Sequence, residues 1–221
     1  MQFPTLLAVL GVVGAVFFLG WFFGSDMRIK RALRKVPLTP IGRARPGERV
    51  RVTGTIVEEG LALRAPFSDR PCAWYRVKVE EYRKRGKSAH WHTLAEEEKF
   101  TNFLLGDPTG MAYVRMVAPR VAGLQDEKSR SGTFDDATHV EADFLQRHGM
   151  KSTNLVGLNR RLRYSEAALE LGELVTVLGR VASDDGRSPA SEGKGFAAGA
   201  VVLEPDAELG LLLTDDAATV G

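Results

Sequence analysis

At 221 residues, with 44% hydrophobic and 26% charged side chains, the chain has room for one ordinary folded domain plus an attachment. A single cysteine excludes an internal disulfide and any zinc site built from several thiolates of this chain. The net charge of +2 hides a local excess: Ser25 to Arg51 holds nine Lys/Arg against two Asp/Glu, so the remainder is acidic.

The first predicted element is apolar. PTLLAVLGVVGAVFFLGWFFG runs from Pro4 to Gly24, and Leu6 to Phe23 are eighteen residues without a charge, enough for a spanning helix with its flanks. A cleaved signal peptide would need a basic start and a small-residue cleavage site. Met1, Gln2 and Phe3 are uncharged and Trp21-Phe22-Phe23 is bulky, so a retained anchor over 1–24 is expected, contacting the bilayer through residues 5–23. The basic residues Arg28, Lys30, Arg31, Arg34 and Lys35 all follow it. The positive-inside rule then puts the N-terminus outside and the rest in the cytoplasm: a single-pass protein of the cell (inner) membrane. The Gly20-x-x-x-Gly24 spacing allows an oligomer through the span, although simple tolerance of glycine explains it as well.

A basic juxtamembrane linker over 25–46, containing Pro37, Pro40 and Pro46, leads to a β-rich domain over 47–221. In GERVRVTGTIVEEG (47–60), Val50, Val52, Gly54 and Ile56 fall on one face and Arg49, Arg51, Thr53 and Thr55 on the other. CAWYRVKVEEY puts Ala73, Tyr75, Val77 and Val79 together. MAYVRMV (111–117), ELVTVLGRVA (173–182) and AAGAVVLEP (197–205) are further strands, and FLLGDPTG (103–110) is a hairpin whose Pro108 and Gly110 suit a turn. Helices are predicted over 133–150, with Val140, Phe144 and Leu145 on one side, and over 164–173, with Ser165 as N-cap and Gly172 as C-cap. RKRGKSAH (83–90) and ASDDGRSPASEGKG (182–195) read as hairpin tips or loops, and Glu96-Glu97-Glu98 as a solvated turn. GERVRVTG (47–54) is echoed by GELVTVLG (172–179), 125 residues on. Interior glycines of this kind mark bends, and the pair predicts two similarly placed strands of a small, strongly bent, OB-like β-barrel. The expected fold is therefore mainly β with α insertions, the least regular part being a helical insertion at about 120–163.

In this order the residues resemble the GIDE, or beside-a-membrane, domain family, as in the mitochondrial ubiquitin ligase activator. The resemblance is carried by Pro66 to Ser68, Cys72, Trp74, Tyr75, Trp91, Phe103, Leu105, Asp107 and Gly110, then Tyr164, Glu166, Gly172 and Gly179. It covers roughly residues 36–215 and is to a prokaryotic member. It implies a recognition domain beside a membrane helix and, in the ubiquitin ligases, a second span and a RING finger. Neither is found in these residues, and one cysteine cannot furnish a RING's two zinc sites. RING-type E3 ubiquitin transfer by this chain alone is excluded. A non-catalytic protein-binding or scaffold module for an unknown protein partner is what the resemblance leaves, the contact surface being a barrel groove or the 120–163 insertion. One alternative is an accessory component of a ubiquitin-like or defence pathway acting with a separate catalytic chain.

Three groups invite chemistry. Cys72 as a nucleophile would need a base or cationic surroundings, and no histidine is near in sequence, so packing is expected. His90 and His92 share a strand face, and Glu96, Glu97, Glu98, His139 or His148 would have to complete a metal site whose spacing is not fixed. No metal or cofactor is expected. An enzyme or small-ligand binder using Cys72, His90 or His92 is the reading from a different class. Outward Arg49 and Arg51 and the tip residues Arg83, Lys84, Arg85 and Lys87 raise nucleic-acid binding, but the domain beyond residue 51 is net acidic and none is expected.

Overall fold

A computed structural model describes residues 26–57, 63–123, 127–131 (backbone only), 138–150, 161–183 and 200–216. The apolar anchor stretch lies outside the described residues, as does most of the 182–195 loop. Among the described residues no helix is long and apolar enough to cross a membrane.

Eleven strands carry the described part: Arg49–Val57 (β1), Cys72–Arg85 (β2), Ser88–Phe100 (β3), Phe103–Asp107 (β4), Gly110–Val114 (β5), Arg120–Ala122 (β6), Glu127–Ser131 (β7), Leu162–Glu170 (β8), Leu174–Val181 (β9), Val201–Glu204 (β10) and Leu212–Thr214 (β11). Helix α1 covers 26–35 and helix α2 covers His139–Arg147. The protein is mostly β, and the expected barrel is present. β1, β4, β5, β10 and β9 follow one another around a ring that β9 closes by pairing with β1. All neighbours are antiparallel except β5 and β10. β11 and β6 extend the sheet beyond β9, and β3, β2, β8 and β7 form a second sheet.

The echoed segments are not merely similarly placed; they pair with each other. Val52 faces its own counterpart Val177, while Val50 faces Gly179 and Gly54 faces Val175. The surrounding hydrogen bonds repeat under the same exchange. Gly47 N–H donates to Val181 O and Gly172 N–H to Ile56 O; Val181 N–H donates to Glu48 O and Ile56 N–H to Glu173 O. Gly47 and Gly172 enter their strands with φ of +79° and +80°. At Gly54 a Cβ would stand 2.6 Å from Gly106 O, and at Gly179 2.7 Å from Glu204 O. Glycine is therefore required where each strand bends between neighbours. This is a local pseudo-twofold at the barrel's closing pair.

Two cores follow. Val50, Val52, Ile56, Phe103, Leu105, Val175, Val177 and Leu213 fill the barrel with others. Tyr75, Val77, Val79, Phe144, Leu145, Leu162 and Tyr164 pack between the second sheet and α2. Three helix expectations change. Residues 164–173 are not a helix: Leu162–Glu170 is a strand, and Gly172 turns the chain into β9, although Ala, Leu and Glu favour helices. Ser165 is thus no N-cap, and its hydroxyl donates to Lys78 O across the sheet. The described helix in 133–150 is confined to α2, whose capping box joins Thr138 and Glu141. Phe144 and Leu145 are buried, but Val140 is exposed. The 25–46 segment is not simply a linker, because 26–35 are helical.

Candidate functional site: a seam between two cores and a clamped basic helix

The run Cys72-Ala73-Trp74-Tyr75 is buried at every position, which simple alternation does not predict. The register of β2 against β8 shifts between Cys72 and Trp74, so Ala73 is an extra residue. Beyond the bulge the faces divide: Ala73 and Trp74 enter the barrel core, while Cys72, Tyr75, Val77 and Val79 enter the second core. Ala73 therefore does not share a face with Tyr75, as strict alternation suggested. On β8, Ala167 and Leu169 likewise go to the barrel and Leu162 and Tyr164 to the other side. This stretch is the seam of the molecule, apolar because both of its faces are covered.

The aromatic tips at the seam need acceptors, and β3 supplies them. Trp74 Nε1–H donates to Glu98 Oε1 at 2.7 Å, and the Tyr75 hydroxyl donates to Glu97. Glu97 also receives Lys99 Nζ at 3.1 Å and lies 3.4 Å from His148 Nε2. Burial alone would raise the Glu97 carboxyl, but hydrogen bonds from Tyr75 and Lys99 and the neighbouring charges bring it below its ordinary value. Burial, then the Glu97 contact, pushes the Tyr75 phenol up. The acidic triplet is not a solvated turn; it lies in β3, whose charged alternation conceals a strand. Two adjacent aromatics with polar tips, facing opposite sides, were the available signal for two adjacent acceptors elsewhere.

Cys72 is fully buried, its Sγ 3.9 Å from Leu63 O. Burial, then the charges of Glu166 and Glu170, push the thiol up to about 12. Such a group remains a thiol at neutral pH and is a poor nucleophile or ligand. Glu166, also buried, accepts the N–H groups of Phe67 at 2.6 Å and Ser68 at 3.1 Å, pinning the 65–70 loop. Phe67 packs edge-on against Tyr164 and Phe144. Asp107 accepts Ile41 N–H, Thr109 N–H and Gly110 N–H at 2.7–2.9 Å, so the D-P-T-G turn also grips the segment before the barrel. Phe103 and Leu105 lie in the barrel core. Trp91 packs edge-on against Tyr82 at 5.4 Å, with the Arg163 guanidinium over its ring at 4.5 Å. His90 and His92 are exposed on β3, and no group of three His, Cys, Asp or Glu side chains suited to a metal occurs among the described residues.

The basic residues belong to a docked helix. Ile29 and Leu33 on one side of α1 bury against Ala122, Leu178 and Leu212 on the outside of the barrel. Lys30 pairs with Asp216 at 2.7 Å. Arg51 donates to Leu33 O at 3.2 Å, placing its charge at the negative end of the helix. Arg49 and Arg180, a cross-strand pair, share the buried Asp206, each at 2.8 Å, and Arg49 also reaches Glu208 at 2.6 Å. Burial would raise Asp206, but Arg49 and the N–H groups of Leu209 and Glu208 hold it well below the usual carboxylate range. Arg49 and Arg51 do point outward from the barrel, as expected, but both are engaged. Arg28, Arg31, Arg34 and Lys35 remain exposed.

Against known proteins the chain is similar to an uncharacterised membrane protein of Arabidopsis thaliana, 26% identical over 193 residues, which cover 82% of this chain and 40% of the relative. The chain thus spans about two fifths of that relative's length. No family model and no solved structure matches.

Proposed function

We propose that the chain is a membrane-anchored, non-catalytic protein-binding or scaffold module of the GIDE type. Its OB-like barrel would be held on the cytoplasmic side of the cell membrane by the apolar segment over residues 5–23. The observation that carries this reading is the clamp on α1. The helix begins within three residues of Phe23 and is fixed to the barrel by Ile29, Leu33, the Lys30–Asp216 ion pair and Arg51. An anchored N-terminus therefore positions the barrel directly, without a loose tether. The likeness to a relative named as a membrane protein supports the anchor. The ring order β1-β4-β5-β10-β9, with β5 and β10 parallel, supports the OB-like assignment. The buried thiol and the satisfied seam favour binding over catalysis. For the partner, the outer face of α2 offers Val140, Asp143, Gln146 and Arg147 around a shallow depression of about 470 Å³.

Membrane fractionation of the full chain tests the anchor. It should stay in the pellet through alkaline carbonate, and a reporter active only in the cytoplasm should work when fused after Gly221. Release by carbonate or a silent reporter would refute anchor or orientation respectively. A photo-crosslinker at Val140 should capture one protein partner in cells. Loss of cellular function in a folded Cys72→Ser protein would replace the binding reading with an enzymatic one.

A further inference from the structure

We propose that the cleft between α1 and the barrel holds the phosphate-bearing headgroup of an anionic lipid. The cleft has a volume of about 420 Å³, and four cationic side chains line it: Arg28, Arg31 and Lys35 from α1 and Arg49 from β1. Residues 28, 31 and 35 are three and four apart, so they share one face of the helix. That face lies beside the stripe by which Ile29 and Leu33 dock. The docking that fixes the barrel thus also brings a fourth cation from a strand opposite the first three. Among the described residues Asp206 and Glu208 balance Arg49, Asp206 is shared with Arg180, and Arg28 has a partner of its own, so Arg31 and Lys35 carry the excess charge. The surroundings remain net positive. The Nε of Arg49 is buried and makes no hydrogen bond among the described residues, leaving one donor of the fork uncommitted.

Three features select a lipid over a free anion. Ala32, Val36 and Leu209 complete the lining, and such apolar surface suits the glycerol and first acyl carbons of a lipid, whereas free phosphate gains nothing from it. Arg28 follows Phe23 by five residues. Even a fully extended chain of that length reaches at most about 18 Å, so a membrane-embedded Phe23 keeps the cleft near the headgroups. The cationic arc is also ordered by packing against the barrel, which gives it a fixed shape that a flexible basic tail lacks. Losing one or two exposed cations beside an anionic surface weakens binding about tenfold. The site rests on the membrane-anchored reading above.

Full-length protein in neutral detergent is titrated with dioctanoyl phosphatidylglycerol, dioctanoyl phosphatidylcholine, inorganic phosphate and a hexaglutamate peptide, by calorimetry and thermal unfolding. Phosphatidylglycerol should bind one to one and raise the melting temperature, the other three at least about tenfold more weakly. Arg31→Glu with Lys35→Glu should weaken it about tenfold or more, while Arg34→Glu, outside the cleft, should change it less than about twofold. Should the double reversal fail to fold, Arg31→Gln with Lys35→Gln reads the same loss. Equal binding of free phosphate or peptide, equal loss in Arg34→Glu, or no binding of phosphatidylglycerol by folded protein would each overturn the site. A chain released by carbonate that still binds phosphatidylglycerol in the cleft refutes only the anchor. A membrane-retained chain that does not bind it refutes only the headgroup site.

Discussion

The barrel and the second sheet are both buried β-structure, but they are specified in different ways. In the barrel, backbone geometry decides: β1 and β9 meet about a pseudo-twofold, and Gly54 and Gly179 admit carbonyls where no side chain fits. In the second sheet, carboxylates decide. Glu166 pins the 65–70 loop, Glu97 and Glu98 complete Tyr75 and Trp74, and Glu80 receives Arg163. The barrel should therefore respond most to added atoms, and the second sheet to lost acceptors.

The largest effect is expected from Gly179→Val. A Cβ 2.7 Å from Glu204 O must displace backbone on a closed ring. Urea unfolding should report a loss above about 3 kcal/mol or no folded protein, and an unchanged midpoint would refute the close-approach argument. Next, Glu166→Ala leaves two part-buried N–H donors, those of Phe67 and Ser68, without their acceptor and should cost about 1–3 kcal/mol. Amide exchange should accelerate at Phe67 and Ser68 while β1 and β9 stay protected; uniform acceleration would erase the distinction between the regions. Acid acts on both. Asp206 and Asp107 at the barrel and Glu97 in the second sheet all have folded-state carboxyls below their ordinary values. Their contribution is complete above the unfolded-state values of about 4 and is lost as pH falls through the lower folded ones. Stability should decline below about pH 4, with a shallower slope in Asp206→Asn and in Glu97→Gln. A slope as steep as wild type in either variant would remove that clamp as a source. The smallest effect belongs to Cys72→Ala, about 1 kcal/mol from a lost buried sulfur. With its thiol pushed to about 12, native Cys72 should resist iodoacetamide at pH 8 and react once unfolded; rapid native labelling would contradict its burial.

The barrel was the legible part. Its strands alternate, D-P-T-G marked a hairpin, and G-E-x-V-x-V-x-G marked two strands of the barrel, though not that they pair and close the ring. The second sheet was harder to read for physical reasons. β8 is built from good helix formers, and only its partners on either side make it a strand. β3 is so charged that no apolar period remains, since its acids serve donors on β2. The Cys72–Tyr75 seam lacks alternation because it is covered twice. The basic run was visible, but the docking of α1 was not: its contacts lie at Ala122, Leu178 and Leu212, far along the chain. Arg49 and Arg51 read as ordinary surface charge until Asp206 and the end of α1 were brought beside them.

The closing pair of the ring also sets an order of events during synthesis. β1 cannot meet β9 until the ribosome has made some 125 further residues, and the Leu212 and Asp216 contacts of α1 come later still. At about 5–20 residues per second, that is a wait of roughly 6–25 seconds. Throughout it Ile29 and Leu33 lack Leu178 and Leu212, two of the three barrel residues they bury against, while any upstream segment destined for the bilayer has already emerged. A nascent chain stalled before residue 172 should therefore present α1 as an uncovered amphipathic helix, accessible to chaperones, and completion of the last strands would withdraw it.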